Sequence, residues 1–158
     1  MIKQKTFSLI SFLLITFVAA FIGSSFTAPN IVSWYSTLIK PSFAPPNWLF
    51  APAWTILYIL MAVAAFLIWQ SRNNSQAKCA LTFYFFQLAL NSLWSIVFFG
   101  LHNPQLAFFE ILVLWVLILI TLLKFYKIQR TAGLLLIPYL LWVSFASILN
   151  LFVWLLNK

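Results

Sequence analysis

The sequence predicts an all-α membrane protein, a single bundle of five transmembrane helices, and three observations carry that expectation. Charged residues make up 6% of the 158 and hydrophobic ones 65%, against about 25% and 45–50% in ordinary soluble domains. That leaves too little polar surface to coat a water-soluble globule. Five apolar stretches reach the ~20 residues needed to cross ~30 Å of hydrocarbon at ~1.5 Å per residue. The breaks between them carry turn chemistry or charge. Composition thus excludes a soluble enzyme, a disulfide scaffold and a disordered chain. A membrane β-barrel would alternate apolar and polar residues in segments of about ten, and the unbroken run from Ile111 to Leu123 contradicts that.

The first span is expected at about residues 7–26, behind Lys3 and Lys5. A secretory signal peptide would also show two lysines, an apolar run and small residues such as Ala19 and Ala20. Its core, however, is about 7–15 residues long, whereas Phe7 to Phe26 is 20, which favours a retained helix. An outward, lid-like loop of about 27–47 follows, closed by Pro41 to Asn47. The second span is expected at about 48–69, ended by the polar stretch Gln70 to Lys78, and the third at about 80–100. His102-Asn103-Pro104 turns the chain into a fourth span at about 105–123. Lys124 to Gly133 separates this from a fifth at about 134–156, and the whole chain, 1–158, forms one domain.

The basic residues give an orientation. With five spans, one side holds Lys3, Lys5, Arg72, Lys78, Lys124, Lys127 and Arg130, and the other only Lys40 and Lys158. Seven against two places the N-terminus in the cytoplasm and the C-terminus and first loop outside, by the positive-inside rule. The net charge of +8 is thus mostly a topology signal, with some attraction to anionic lipid. Nine scattered basic residues make no nucleic-acid groove.

Conventional chemistry has little to work with. One cysteine (Cys79), one histidine (His102) and one acid (Glu110) leave no disulfide, no metal cluster and no paired-carboxylate mechanism. Ser–His–Asp catalysis lacks any Asp, and the three glycines form no phosphate loop. No catalytic residue, metal or cofactor is therefore expected. His102, in a turn and without an evident partner, reads as a solvated interfacial histidine.

Four features inside the membrane stand out. Glu110 lies about five residues into the fourth span, and an acid there marks either a functional site or an internal polar contact. Gln87, Asn91 and Trp94 share one face of the third span and should point into the bundle, as interhelical glue or as part of a site. Phe50, Trp54 and Tyr58 form an aromatic stripe on the second, with Met61 one turn further on. Trp48, Trp69 and Trp154 suit an interfacial belt, but Trp54, Trp94, Trp115 and Trp142 are too deep for one. Their indole N–H groups need acceptors, from the protein or from a ligand. Their convergence would make a pocket for a large planar apolar molecule. Finally, the stiff apolar stretch Lys40-Pro41-Ser42-Phe43-Ala44-Pro45-Pro46 after Trp34-Tyr35 fits a lid better than a linker. Ala19 and Gly23 form a small-xxx-small pair that could serve helix packing or dimerisation.

These residues resemble the pattern of the translocator protein family, also called tryptophan-rich sensory proteins or the peripheral-type benzodiazepine receptor family. The resemblance runs from Trp34-Tyr35, Leu38, Lys40-Pro41-Ser42-Phe43 and Pro45-Pro46 through Trp54, Leu57-Tyr58 and Met61. It continues in Gln87 to Asn91, Trp94, Phe98-Phe99-Gly100, Leu106-Ala107 and Glu110, and ends in Pro138-Tyr139-Leu140, Trp142, Phe145-Ala146 and Leu149-Asn150. Nearly the whole chain is covered.

The resemblance implies a five-helix protein of a bacterial plasma membrane, often a homodimer, that binds porphyrins and related tetrapyrroles. Its ligand-binding residues would include Tyr35, Trp54, Tyr58, Asn91, Trp94, Trp142 and Ala146; the stripe, loop and acid singled out above add Phe50, Trp34 and Glu110, under a lid of Lys40, Pro41, Ser42, Phe43, Pro45 and Pro46. Light-dependent porphyrin degradation, reported for some bacterial members, would involve the tryptophans at 54 and 142. Phe43 stands where the family usually has Trp, removing an N–H donor from the lid. Leu151 stands where animal members carry the Tyr of a proposed cholesterol motif, which counts against sterol binding. Three functions follow as expectations: a tetrapyrrole sensor or carrier, a photo-oxidative degrader, and a proton-coupled exporter with Glu110 as relay.

Overall fold

The computed structural model describes residues 2–158, with side chains from residue 4 onward. Lys3, counted in the orientation argument, lies outside the described side chains. The elements are α1 (Ile2–Ser33), short 3-10 turns at Tyr35–Thr37 and Asn47–Leu49, α2 (Phe50–Trp69), α3 (Ser75–Ser95) continued by a π-helical turn (Ile96–Gly100), α4 (Pro104–Ile128), a short α5 (Arg130–Leu134) and α6 (Ile137–Leu156). Among the described residues there is no strand. Five helical segments are long and apolar enough to cross a bilayer: Gln4–Ser33, Asn47–Trp69, Ser75–Gly100, Pro104–Ile128 and Arg130–Leu156.

Local sequence sets the boundaries. Asn74 caps α3, its side chain accepting from Gln76 N at 2.9 Å. Asn103 does the same for α4 through Leu106 N at 2.9 Å, ahead of Pro104 in the first turn, where a missing N–H costs nothing. Pro138 sits at the start of α6, and the chain breaks just before it, between α5 and α6.

The first helix runs seven residues beyond the expected end at 26, so the loop shortens to 34–46. Thr27, Pro29 and Asn30 look like a linker, yet their neighbourhood is self-satisfying. Thr27 Oγ1 donates to Gly23 O, Asn30 Nδ2 to Phe26 O and Ser33 Oγ to Pro29 O, at 3.1, 2.8 and 2.8 Å. Polar side chains that bond back to their own helix cost little inside it.

Small residues let the helices close up. Ala64, Ala65, Ala77 and Ala80 are fully buried in the main core. The Ala19/Gly23 face is used within the chain. Ser92 Oγ of α3 donates to Ala19 O at 2.8 Å, and a Cβ at Gly23 would meet Ser95 Oγ at 3.1 Å. Tyr84 donates to Thr16 Oγ1 at 2.6 Å along the same seam.

At the loop end, the π turn packs Val97, Phe98 and Phe99 inward in a second cluster with Tyr35, Ala107, Leu149 and Val153. It closes through Leu101 N to Ile96 O at 2.9 Å. His102 follows at φ 51°, in the left-handed region. It is not a solitary solvated histidine: its ring stacks on Trp34 at 4.5 Å and Nε2 donates to Asn30 Oδ1 at 3.0 Å. Only the longer α1 brings Asn30 there.

Candidate functional site

Between the helices, in the half of the bundle nearer the 34–46 loop, lies a largely apolar cavity of about 590 Å³. All five spans line it, and its size falls in the range of small-molecule sites. Phe50, Trp54 and Tyr58 form one wall, because positions four apart on α2 share a face. Asn91, Trp94 and Phe98 of α3 form the back, and Trp142 and Ala146 of α6 the opposite wall. Tyr35 closes the loop end.

Polar atoms in the wall are tied into directed chains. Tyr58 OH donates to Asn91 Oδ1 at 2.5 Å, Asn91 Nδ2 to Tyr139 OH at 3.0 Å, and Tyr139 OH to Gln87 Oε1 at 2.9 Å. This joins α2, α3 and α6 through buried side chains, and Gln87 is the glue its position promises. Within this chain of bonds, Gln87 Nε2 is left without a partner among the described residues. A second chain runs from Trp94 Nε1 to Asn150 Oδ1 (3.0 Å) and from Asn150 Nδ2 to Pro104 O (2.8 Å), pinning the start of α4.

The deep tryptophans therefore divide. Trp94 is bonded to Asn150, and Trp115 Nε1 donates to Ser144 Oγ at 2.7 Å outside the cavity. Trp54 and Trp142 line the cavity and make no hydrogen bond among the described residues. Trp54 rests on Tyr58 and Tyr139 (ring centroids 5.5 and 6.2 Å), and Trp142 edges onto Phe50 at 6.0 Å. Their rings are held by packing, while their N–H groups are left for something else.

Two expected residues fall outside the lining. Trp34 turns to His102, Phe98 and Phe99 instead. Glu110 does not line the cavity either; Ile111, next along α4, takes the wall position. Both Glu110 carboxylate oxygens are buried and without a hydrogen-bond partner among the described residues. The loop residues Lys40, Pro41, Ser42, Phe43, Pro45 and Pro46 also stay out of the lining, and the loop is tied down beside it. Lys40 Nζ donates to Tyr35 O (2.9 Å) and Leu38 O (3.1 Å) and lies over the Tyr35 ring. Asn157 pairs with both backbone groups of Ile39 at 2.9 Å, and Phe43 packs edge-on to Phe152 and Phe145. Burial pushes the Tyr35 phenol above its ordinary range, so it stays neutral at physiological pH.

Sequence reasoning missed a whole wall. Phe17, Ala20, Phe21, Ser24, Thr27, Ala28 and Ile31 of α1 face the cavity. Ser24 and Thr27, three apart inside an apolar helix, were the available signal.

The model of the TspO/MBR family matches residues 12–155. The chain belongs to the TspO/MBR family. Within it, the tryptophan-rich protein TspO of Archaeoglobus fulgidus is 43% identical over 151 residues, covering 94% of this chain and 96% of the relative. The tryptophan-rich sensory protein of Cereibacter sphaeroides is 40% identical over 141 residues, 87% of each chain. The human translocator protein is 34% identical over 139 residues, 87% of this chain and 82% of the relative. Together with the five apolar helices, membership in the TspO/MBR family makes this an integral membrane protein.

Proposed function

We propose that the protein binds tetrapyrroles of the porphyrin type in this cavity and acts as their membrane sensor or carrier. The observation that carries the reading is the pair of unpaired indole N–H groups, Trp54 and Trp142, in an aromatic-rich apolar wall whose Tyr58, Asn91, Trp94 and Asn150 are already hydrogen-bonded to one another or to the protein. A flat macrocycle supplies the ring face that such walls pack against, and its carboxylate edge supplies acceptors for the two donors. Relatives called tryptophan-rich sensory protein and translocator protein support a sensory or transport role. The proposal includes an N-terminus in the cytoplasm, the loop outside, and a homodimer formed through a face other than Ala19/Gly23. The exporter reading rests on Glu110 alone and is the weaker one, because its carboxylate does not reach the cavity wall.

Titration of the purified protein with protoporphyrin in darkness, read by tryptophan quenching, tests this. Trp54→Phe and Trp142→Phe should each weaken binding about three- to tenfold, the worth of one hydrogen bond. Trp115→Phe, outside the cavity, should leave the titration unchanged. Wild-type affinity in both cavity variants refutes the site. Repeating the experiment under illumination separates binding from degradation: bleaching at the same rate with and without protein eliminates the photo-oxidative role.

A further inference from the structure

The exposed part of the cavity lining gathers mainly along one side, between α1 and α2. Its lining residues on α3, α4 and α6 are all buried or half-buried, whereas Phe17, Phe21, Ser24 and Ala28 of α1, Ala51 and Thr55 of α2, and Asn47 in the turn before α2 are exposed. Phe21 is 72% exposed although it belongs to the lining. At the far end from the loop, α1 and α2 are in ring contact, Phe12 with Trp69 at 6.4 Å and Phe17 with Tyr58 at 6.3 Å. Nearer the loop no ring pair joins them, and their facing residues are open between Phe21 and Thr55. All of these positions lie within segments that cross the bilayer, so the opening meets hydrocarbon. At the loop end Asn47 is the one exposed lining residue among those described, and the loop beside it is tied down by the Asn157–Ile39 pair, the Lys40 bonds and the packing of Phe43.

From this geometry we infer that ligand is loaded and released sideways, through a slot between α1 and α2 that opens into the lipid, with Phe21 as its threshold. The inference rests on the reading of the cavity as a tetrapyrrole site. The slot walls suit an apolar, planar molecule already dissolved in the membrane. Ser24, Thr27 and Thr55 each donate to a carbonyl of their own helix (Phe21 O, Gly23 O and Ala51 O at 3.0, 3.1 and 2.8 Å), so passage strips no hydrogen bond from the wall. A ligand on this route need not leave the hydrocarbon for water, and the loop need not open.

Stopped-flow quenching in proteoliposomes, with protoporphyrin IX supplied in the lipid, decides the route. Ser24→Phe and Thr55→Phe narrow the slot from opposite walls, and both replace exposed lining residues at its rim rather than packed core, so the fold tolerates them. Each should slow association and dissociation together, by about tenfold, with a far smaller change in their ratio, the mark of a gate rather than a lost contact. Phe21→Ala should quicken both. Asn157→Ala, which unties the loop, should change neither. If Asn157→Ala quickens both rates while the slot variants match wild type, loading occurs through the loop and the inference is overturned. A change confined to dissociation in the slot variants also overturns it, because they then act on affinity. Wild-type protein that takes up no porphyrin refutes the functional reading and the route with it. Intact binding with rates insensitive to the slot refutes the route alone.

Discussion

Asn91→Leu is expected to destabilise the protein and weaken porphyrin binding together. Asn91 receives the Tyr58 hydroxyl proton and donates to Tyr139, so its loss leaves a buried phenol donor without an acceptor and Tyr139 OH without its donor. In a bilayer an interhelical hydrogen bond is worth about 0.6 kcal/mol on average, up to about 1.7. Two of them, plus the cost of a stranded phenol, amount to about 2–3 kcal/mol. Leucine is close in volume, which keeps a cavity from dominating the loss. The binding defect arises because Tyr58 lines the cavity and its hydroxyl is oriented only by Asn91. Thermal unfolding in detergent and the dark titration should both move. Wild-type stability in Asn91→Leu would mean that the chain from Tyr58 to Gln87 does not hold these three helices together.

Gly133→Ala should be comparably damaging to stability, yet leave the site intact. A Cβ at position 133 would lie 2.5 Å from Tyr126 Cβ and 2.6 Å from Tyr126 Cα. The obstacle is backbone and cannot rotate away, so α5 must lift from the end of α4. Overpacking of this kind costs about 1–3 kcal/mol and occasionally more. Lifting α5 also strains the bonds from Arg130 Nε and Nη2 to Tyr126 OH, both 3.1 Å. The contact lies at the end of the bundle away from the cavity, and no residue of α5 lines it. The folded fraction should therefore titrate with wild-type affinity despite a lower unfolding temperature. The contrast with Asn91→Leu separates a residue that supports the site from one that supports only the fold.

Much of the cavity could be placed on its helix faces from the chain alone. Trp54 and Tyr58 share a face because they are four apart, and an amide such as Asn91 cannot face lipid without a partner. Glu110 was misplaced because depth along a helix can be counted from sequence but rotation about its axis cannot, and Trp34 because its partners His102, Phe98 and Phe99 are distant in the chain. Ile111, one residue from Glu110 and rotated by about 100°, faces the cavity that Glu110 does not. The end of α1 was misread because Pro29 and Asn30 carry turn chemistry, while the bonds that keep them helical involve partners a turn away. Asn30 is used a second time by His102, 72 positions along the chain.

The sequence by itself determined the class and count: five helices, because hydrocarbon demands about 20 apolar residues per crossing and satisfied backbone throughout. It also determined which side chains share a face, because helical periodicity is local. Only the tertiary structure decided which of those faces meet. It paired Trp94 with Asn150 and Trp115 with Ser144, left the N–H groups of Trp54 and Trp142 unpaired, turned Ala19/Gly23 onto α3, and brought a face of α1 into the cavity wall. Those outcomes depend on the tilt and rotation at which helices pack. Tilt and rotation come from small residues and buried hydrogen bonds between distant parts of the chain, which no local pattern contains.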